Sequence, residues 1–339
     1  PAISADGRNI AFVADVDGKQ NLFVRSLENL APQMLPGTEN ASRPFWSPDG
    51  RFIAFFADGK LKKIDSAGGP VQSICDARQG NGGAWNAENT IIFGMYETGI
   101  YRVSAAGGQP SQVLEVDVAG KDIVHAVPVF LPDGNHFLYL SWRGTPDQAE
   151  IWVAALDGSD RKSIIVNNSN AAYAAGHLLF ARDTTLMAQP FDLGSLTLSG
   201  QAVPVSENVM FDVGESYSNF SVSPTGTLVS KLGGGVQRQL AWFDRSGKQL
   251  SSLNPPGGYN DVSLSPDGKW AAVQRIDPGT NGIWIFDTGR DVLSRFTLGN
   301  NSEDDPVWSP DSKYLYFTSG SPDGNRKVVR KPISGGGEE

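Results

Sequence analysis

One short motif recurs along the chain and limits its fold more than any other feature. It appears as Ser4-Ala5-Asp6-Gly7, Ser47-Pro48-Asp49-Gly50, Leu131-Pro132-Asp133-Gly134, Ser223-Pro224-Thr225-Gly226, Ser265-Pro266-Asp267-Gly268 and Ser309-Pro310-Asp311-Ser312. Weaker copies stand at Asn86-Ala87-Glu88-Asn89 and around Ala174-Ala175-Gly176. The starts fall near 4, 47, 86, 131, 174, 223, 265 and 309, a near-constant step of 39 to 49 residues. A fixed period of this size marks stacked supersecondary units, in which each unit buries its apolar faces only against its neighbours. The 339 residues would otherwise suggest two ordinary domains. As repeats they read as one array, with units at about 1–41, 42–80, 81–124, 125–168, 169–216, 217–258, 259–302 and 303–339.

Each unit carries the same succession of short strands. An inner strand ends in bulky apolar residues before the turn, as in Phe45-Trp46, Ala84-Trp85, Val129-Phe130 and Val307-Trp308. The turn follows: proline presets φ, aspartate accepts backbone hydrogen bonds and glycine supplies positive φ. A second strand comes next (Phe52–Phe55, Phe137–Leu140, Trp270–Val273, Tyr314–Phe317), then a third (Leu22–Val24, Ile100–Val103, Ile151–Val153, Ile283–Phe286). A weaker fourth, such as Val71–Ile74 or Leu293–Phe296, completes the unit. Four antiparallel strands in about 40 residues is the pattern of a propeller blade. The predicted fold is therefore an all-β β-propeller of about eight four-stranded repeat units, forming a single domain over 1–339. A six- or seven-bladed ring with extra units is the alternative. Pro1 falls inside a repeat and Gly335–Glu339 precede any fourth strand of the last unit, so the chain is expected to be part of a longer one.

These motifs, Trp46-Ser47-Pro48-Asp49-Gly50 foremost, resemble the PD40 (WD40-like) repeats of TolB-type propellers. Arg43–Lys63, Phe130–Tyr139, Ser169–Ala174, Thr185–Asp192 and Leu240–Lys248 further resemble the C-terminal propeller region of bacterial, acidobacterial-type serine/threonine protein kinases. In that family a cytoplasmic kinase domain and a transmembrane helix precede an extracytoplasmic propeller. The resemblance implies a non-catalytic sensor or protein-interaction domain in the periplasm. A free-standing TolB-like periplasmic protein that binds protein partners is the first alternative. The gating propeller of a prolyl-oligopeptidase-type serine peptidase is the second.

The chemistry visible in the residues fits binding better than catalysis. Kinase catalysis needs a glycine loop over the phosphates, His-Arg-Asp and Asp-Phe-Gly, and the sequence contains none of them. Gly233-Gly234-Gly235 has the wrong spacing and reads as a turn. There is no Gly-x-Ser-x-Gly pentapeptide. Three scattered histidines and the lone Cys75 offer no zinc set, so no metal and no cofactor is expected. Asp15-Val16-Asp17-Gly18 and Ser321-Pro322-Asp323-Gly324 contain fragments of a calcium loop but read as hairpins. A net charge of −9 argues against nucleic acid as a partner. No apolar run is long enough to insert in a membrane.

In a propeller, the residues leading into the inner strands crowd the axis at one mouth of the channel. Aligning the units on their turns puts Arg43, Gly82, Val127, Asn219, Asp261 and Asp305 at one equivalent position. Ser42, Asn81, Ala126, Ser218, Asn260 and Asp304 precede them, and His125 lies just ahead in its unit. The candidate binding residues are therefore Arg43, His125, Asn219, Asp261, Asp304 and Asp305, facing a protein, peptide or small-molecule ligand. Trp46, Trp85, Trp152, Trp284 and Trp308 are expected in the core between blades, not stacked on a ligand.

Overall fold

The computed structural model describes the chain apart from residue 30 and residues 117–122, 144–147, 213–215, 234–237, 278–279, 299–301, 321–325 and 335–339. The expectations for Ser321-Pro322-Asp323-Gly324, for Gly234-Gly235 and for the end of the last unit lie outside the described residues. Everything described is strand, turn or short irregular connection, apart from a single 3-10 residue. No helix among the described residues is long and apolar enough to cross a membrane.

The Ser-x-Asp turn explains why blades start where they do. Ser47 is buried, and its hydroxyl donates to the Asp49 carboxylate at 2.5 Å. The same hydroxyl oxygen accepts the Phe52 N–H at 2.8 Å, at the first residue of the second strand. Asp49 in turn accepts the Arg51 N–H at 3.0 Å, and the Gly50 N–H closes on the Ser47 carbonyl at 2.9 Å. Glycine suits that position because φ is 69°. The network recurs at Ser4 with Asp6, Ser265 with Asp267 and Ser309 with Asp311. In the last copy Ser312 occupies the left-handed position, at φ 58°. The serine hydroxyl holds the Asp49, Asp267 and Asp311 carboxyls below the usual carboxylate range. Other copies use other side chains, and in one of them Ser223 Oγ pairs with Thr225 Oγ1 at 2.7 Å. Asn86 Oδ1 accepts the Thr90 N–H at 2.9 Å, and Asp133 accepts the Asn135 and His136 N–H groups.

The strands that follow make the expected antiparallel ladders. The second blade orders Ser42–Trp46, Phe52–Ala57, Lys60–Asp65 and Gln72–Asp76 as neighbours, in sequence order. The first (Ala2–Ile3, Asn9–Val16, Lys19–Ser26, Gln33–Met34), third (Gly80–Trp85 to Ser111–Glu115) and fourth (Val124–Phe130 to Lys162–Val166) blades repeat this order. The fifth runs through Ala171–Ala174, His177–Arg182 and Thr185–Asp192 to Val203–Ser206, with a small extra hairpin to Thr197–Leu198. Its ladder is regular although its turn motif is worn, because the strand pattern Leu178-Leu179-Phe180 carries the burial by itself. The chain is thus a β-propeller protein of four-stranded antiparallel blades.

The described residues fall into two compact units. The first is Pro1–Met210 with Gly214–Leu232; the second is Phe211–Val213 with Gly233–Glu339. In the first unit, the five blades are followed by the hairpin of Phe220–Val222 and Leu228–Ser230. The Ile3 N–H donates to Ser221 Oγ of this hairpin at 3.1 Å, so the earliest and latest inner strands of the unit meet. The second unit contains the hairpin Arg238–Phe243 with Gln249–Gly257, and a four-stranded blade from Tyr259–Leu264 to Val292–Arg295. A three-stranded sheet of Ser302–Trp308, Tyr314–Gly320 and Arg326–Pro332 ends it.

Apolar residues from facing blades form the cores. Ile53, Phe55 and Ile64 of the second blade pack on Ala11, Leu22 and Leu35 of the first. Its other face puts Phe45, Phe56 and Leu61 against Trp85, Ile91 and Phe93 of the third. The second blade therefore buries both faces, and its loss would expose the first and third.

Candidate functional site

The inner strands carry a feature that regular strands lack. Between Ser42 and Phe45, the partner strand advances only from Phe56 to Ala54, so one extra residue is accommodated. The same one-residue excess occurs at Gly80/Gly83, Ala126/Val129, Asn260/Val262 and Asp304/Val307. At each of these β-bulges the extra residue is left-handed: Arg43 at φ 48°, Gly82 at 78°, Val127 at 45°, Asp261 at 34° and Asp305 at 54°. These are the equivalent positions that the sequence alignment places at the mouth. A β-branched residue such as Val127 with positive φ costs on the order of 1–3 kcal/mol, so the blade architecture imposes this shape and the side chain tolerates it.

In the first unit, six inner segments border one central cavity of about 340 Å³: 1–5, 43–48, 82–85, 127–130, 170–173 and 217–224. Arg43, Gly82 and Val127 stand at the bulge end, and Pro48, Trp85, Phe130 and Pro224 stand toward the turns. The walls are mainly apolar and aromatic, with Trp46, Tyr173, Tyr217 and Phe220 among them. Among the described residues that line it, Arg43 is the one charged side chain. Its guanidinium carbon lies 4.0 Å from the centre of the Tyr217 ring, within reach for a cation–π contact.

Of the other sequence candidates, His125 is fully buried in Val124–Phe130 and does not line the cavity. It stands edge-on to Tyr139 at 5.1 Å, and its Nε2 is 3.3 Å from an Arg161 guanidinium nitrogen. Asn219 is half-buried and does not line the cavity either; its amide donates to the Met210 carbonyl at 3.4 Å, and its φ is not left-handed. Asp261, Asp304 and Asp305 belong to the second unit. There Asp261 and Asp305 are exposed, and Asp304 pairs with Arg326. Burial pushes the Asp304 carboxyl up; the neighbouring charges of Asp305 and Asp261 add to this, and together they outweigh Arg326. Among the described residues, no three His, Cys, Asp or Glu side chains form a group that could hold a metal ion.

Of the five tryptophans expected in the core, Trp46, Trp85 and Trp308 are buried and Trp152 and Trp284 are half-buried, and the buried three are not equivalent. Trp46 and Trp308 each donate the indole N–H, at 2.9 Å, to a carbonyl of the preceding inner strand, Ala2 and Ser263 respectively. Trp85 occupies the same repeat position, is 9% exposed and borders the cavity, yet its N–H has no acceptor among the described residues. Its ring stacks on Phe52 at 6.4 Å, and Lys63 Nζ lies 5.9 Å from it.

A second polar cluster was not singled out from the sequence. His136 Nδ1 is 2.5 Å from Asp133, and its Nε2 is 3.2 Å from Asp160. The hydrogen bond to Asp133 raises the His136 pKa; burial opposes this and Asp160 assists it. An open hollow of about 410 Å³ adjoins it, with Lys162 and Ser195 on its wall. Cys75 is buried, and desolvation pushes its thiol up to about 11, the state of an inert apolar filler.

No protein-family model matches the chain. Among solved structures it is similar to a putative TolB from Agrobacterium tumefaciens, at 15% identity over 93% of this chain and 83% of that one, with a TM-score of 0.35. It is similar also to the Cps50 (Swd1) β-propeller domain of Myceliophteria thermophila, at 14% identity over 98% and 95%, with a TM-score of 0.44. A prolyl endopeptidase matches at 12% identity over 98% of this chain and 46% of that one, with a TM-score of 0.40. At this degree of overlap these likenesses carry no argument, and the fold rests on the ladders described above.

Proposed function

We propose that this chain is a non-catalytic binding propeller that takes its ligand at the bulge end of the first unit's channel. The observation that supports this is the cavity itself. A closed set of inner strands surrounds an apolar, aromatic space of about 340 Å³ with the Arg43 guanidinium against the Tyr217 ring at its mouth. Such a space offers shape and apolar surface for recognition. The motif resemblance extends the proposal to biology: the propeller is the extracytoplasmic sensor arm of a receptor-like bacterial serine/threonine protein kinase. The buried, protonated Cys75 is compatible with an oxidising compartment, where an exposed thiol would be a liability.

The test is the sequence of the intact natural polypeptide, followed by its phosphorylation state. An upstream kinase domain and one transmembrane helix support the sensor arm. In that protein Tyr217→Ala, at the channel mouth, is expected to change autophosphorylation at least threefold in membranes. A short chain with a cleaved signal peptide overturns the kinase assignment in favour of a free TolB-like binding protein. A downstream hydrolase domain overturns it in favour of a peptidase gate.

A further inference from the structure

The polar cluster of the fourth blade has a geometry that only one protonation state satisfies. We infer that His136, Asp133 and Asp160 form a proton-operated latch, which holds the turn of residues 156–161 against the blade while the imidazole is charged and frees it when the imidazole is neutral. Three observations lead there, and none depends on what the channel binds.

The first is the bonding of the ring. His136 opens the second strand of the blade, and Asp160 lies in the turn between its third strand, Glu150–Ala155, and its fourth, Lys162–Val166. Nδ1 is 2.5 Å from an Asp133 carboxylate oxygen and Nε2 is 3.2 Å from an Asp160 one. An ionised carboxylate only accepts, so both ring nitrogens must carry a proton for both bonds to form, and the imidazolium alone does so. When the ring loses one proton to solvent, a lone pair faces one of the two carboxylates and that bond is lost. Asp160 is the partner that leaves. Asp133 is fixed within its own turn by the N–H groups of Asn135 and His136, whereas Asp160 is exposed and sits at φ 54°.

The second is what the latch holds. Arg161 Nε donates to the Tyr139 hydroxyl at 2.9 Å, and Lys162 Nζ donates to the Ser195 carbonyl of the fifth blade at 2.7 Å. Asp160, Arg161 and Lys162 therefore pin the entry to the fourth strand at three successive residues, and the first of these contacts depends on the proton. The same three residues and His136 wall the open hollow of about 410 Å³, whose other side is the 193–196 segment of the fifth blade. Release of Asp160 frees that wall, so the width of the hollow follows the charge on the ring.

The third is the electrostatic setting. Among the described residues of its own blade, Asp133, Asp160 and Asp157 are the anions about the ring, and Arg161 and Lys162 follow Asp160 along the hollow. From the third blade Glu88 faces the turn at Gly134, and from the fifth Asp192 is tied to Ser195. His125, which Arg161 also touches, is the other imidazole in the neighbourhood. The bond to Asp133 raises the His136 pKa, burial opposes this and Asp160 assists it. The latch is thus closed below the ordinary histidine value of about 6.5 and opens as pH rises through the higher folded value.

The experiment is hydrogen exchange of this chain, followed by mass spectrometry from about pH 5.5 to about pH 9 and corrected for the intrinsic exchange rate. Protection of the 159–166 amides should fall about threefold or more over that range, with one midpoint above about 6.5. The fourth strand of the second blade, Gln72–Asp76, should not change. His136→Gln should show no pH dependence in 159–166, and Asp160→Ala should exchange at the fast alkaline rate throughout. Nitrogen-15 shifts of the His136 ring give a second reading: both nitrogens protonated below the midpoint, and a lower midpoint in Asp160→Ala. Constant protection across the range overturns the latch. A fall in protection that persists in His136→Gln belongs to another group, His125 first, and overturns it as well. If His136→Gln does not fold, the ring shifts decide: a ring already neutral at about pH 5.5, or a midpoint that Asp160→Ala leaves in place, overturns the latch.

Discussion

Trp46 and Trp85 stand at the same place in consecutive repeats, each ending an inner strand just before its turn, and each is buried to the same degree. Trp46 ties its blade to the preceding one through the Ala2 carbonyl, whereas Trp85 makes no such bond. The strands that carry them differ. The strand of Trp46 reads Ser-Arg-Pro-Phe-Trp, and that of Trp85 reads Gly-Asn-Gly-Gly-Ala-Trp. The glycines let the second strand lie against large neighbours: a Cβ on Gly83 would sit 2.7 Å from the Phe45 ring and 2.9 Å from the Ile92 carbonyl oxygen. The space those side chains would fill is taken by the aromatic rings of the second blade, Phe45 and Phe56. Identity and register alone therefore do not fix what a repeated residue does; its neighbours across the blade interface do.

The strongest way to break that contrast is to fill the glycine strand. Gly83→Val should cost about 3 kcal/mol or more by overpacking against Phe45, read as a fall in the urea midpoint. An unchanged midpoint would mean the strand does not depend on glycine for its close approach. Next in size is Trp46→Phe, which removes the N–H and leaves the Ala2 carbonyl without that donor. About 1–3 kcal/mol is expected, and Trp308→Phe should behave alike through Ser263.

The comparison extends to the turns, where in the fourth blade a titrating ring, at the position of Phe52 in the second, bonds the turn aspartate that a serine hydroxyl bonds in the second. His136 has a raised folded pKa, because its bond to Asp133 outweighs desolvation. The stabilisation it gives is therefore complete below the unfolded histidine value, about 6.5, and fades as pH rises through the higher folded value. His136→Gln should thus lose stability against wild type at pH 5.5 to about 6, by on the order of 1 kcal/mol, and the two should converge under alkaline conditions. Paired denaturation curves across pH would show it, and a gap that widens with rising pH would contradict the assignment. The smallest effect belongs to Trp85→Phe. It keeps the stack on Phe52 and removes a donor that has no acceptor, so stability should stay within about 0.5 kcal/mol of wild type. A loss as large as that of Trp46→Phe would show that Trp85 has a structural bond after all.

The blades were legible because their defining interactions are local. Ser47, Asp49 and Gly50 satisfy one another within a few residues, so the motif marks the turn wherever it occurs. The mouth was legible in part. Register alone aligned Arg43, Gly82, Val127, Asp261 and Asp305, and all five share the left-handed bulge, but Asn219 does not. His125 lies two residues ahead of its bulge, and the alternation of the strand sends it into the core against Tyr139. Tyr217 and the unpaired Trp85 N–H could not be read from one repeat, since both depend on which blades face each other. The run Gly80-Asn81-Gly82-Gly83 was the available signal for a close approach. The division into two units has no counterpart in the motif spacing, which runs on at a step of 42 and 44 residues through 223, 265 and 309.

The recurring bulge also bears on how such a protein can change. At Arg43, Val127 and Asp305 the backbone takes one shape whether the side chain is cationic, aliphatic or acidic. Backbone form and side-chain chemistry are uncoupled at these bulges, while a few residues away the serine–aspartate lock couples them tightly. Substitutions at the bulges can therefore change the chemistry they present without renegotiating the fold, and a lineage of such chains would be expected to diverge there much faster than in architecture.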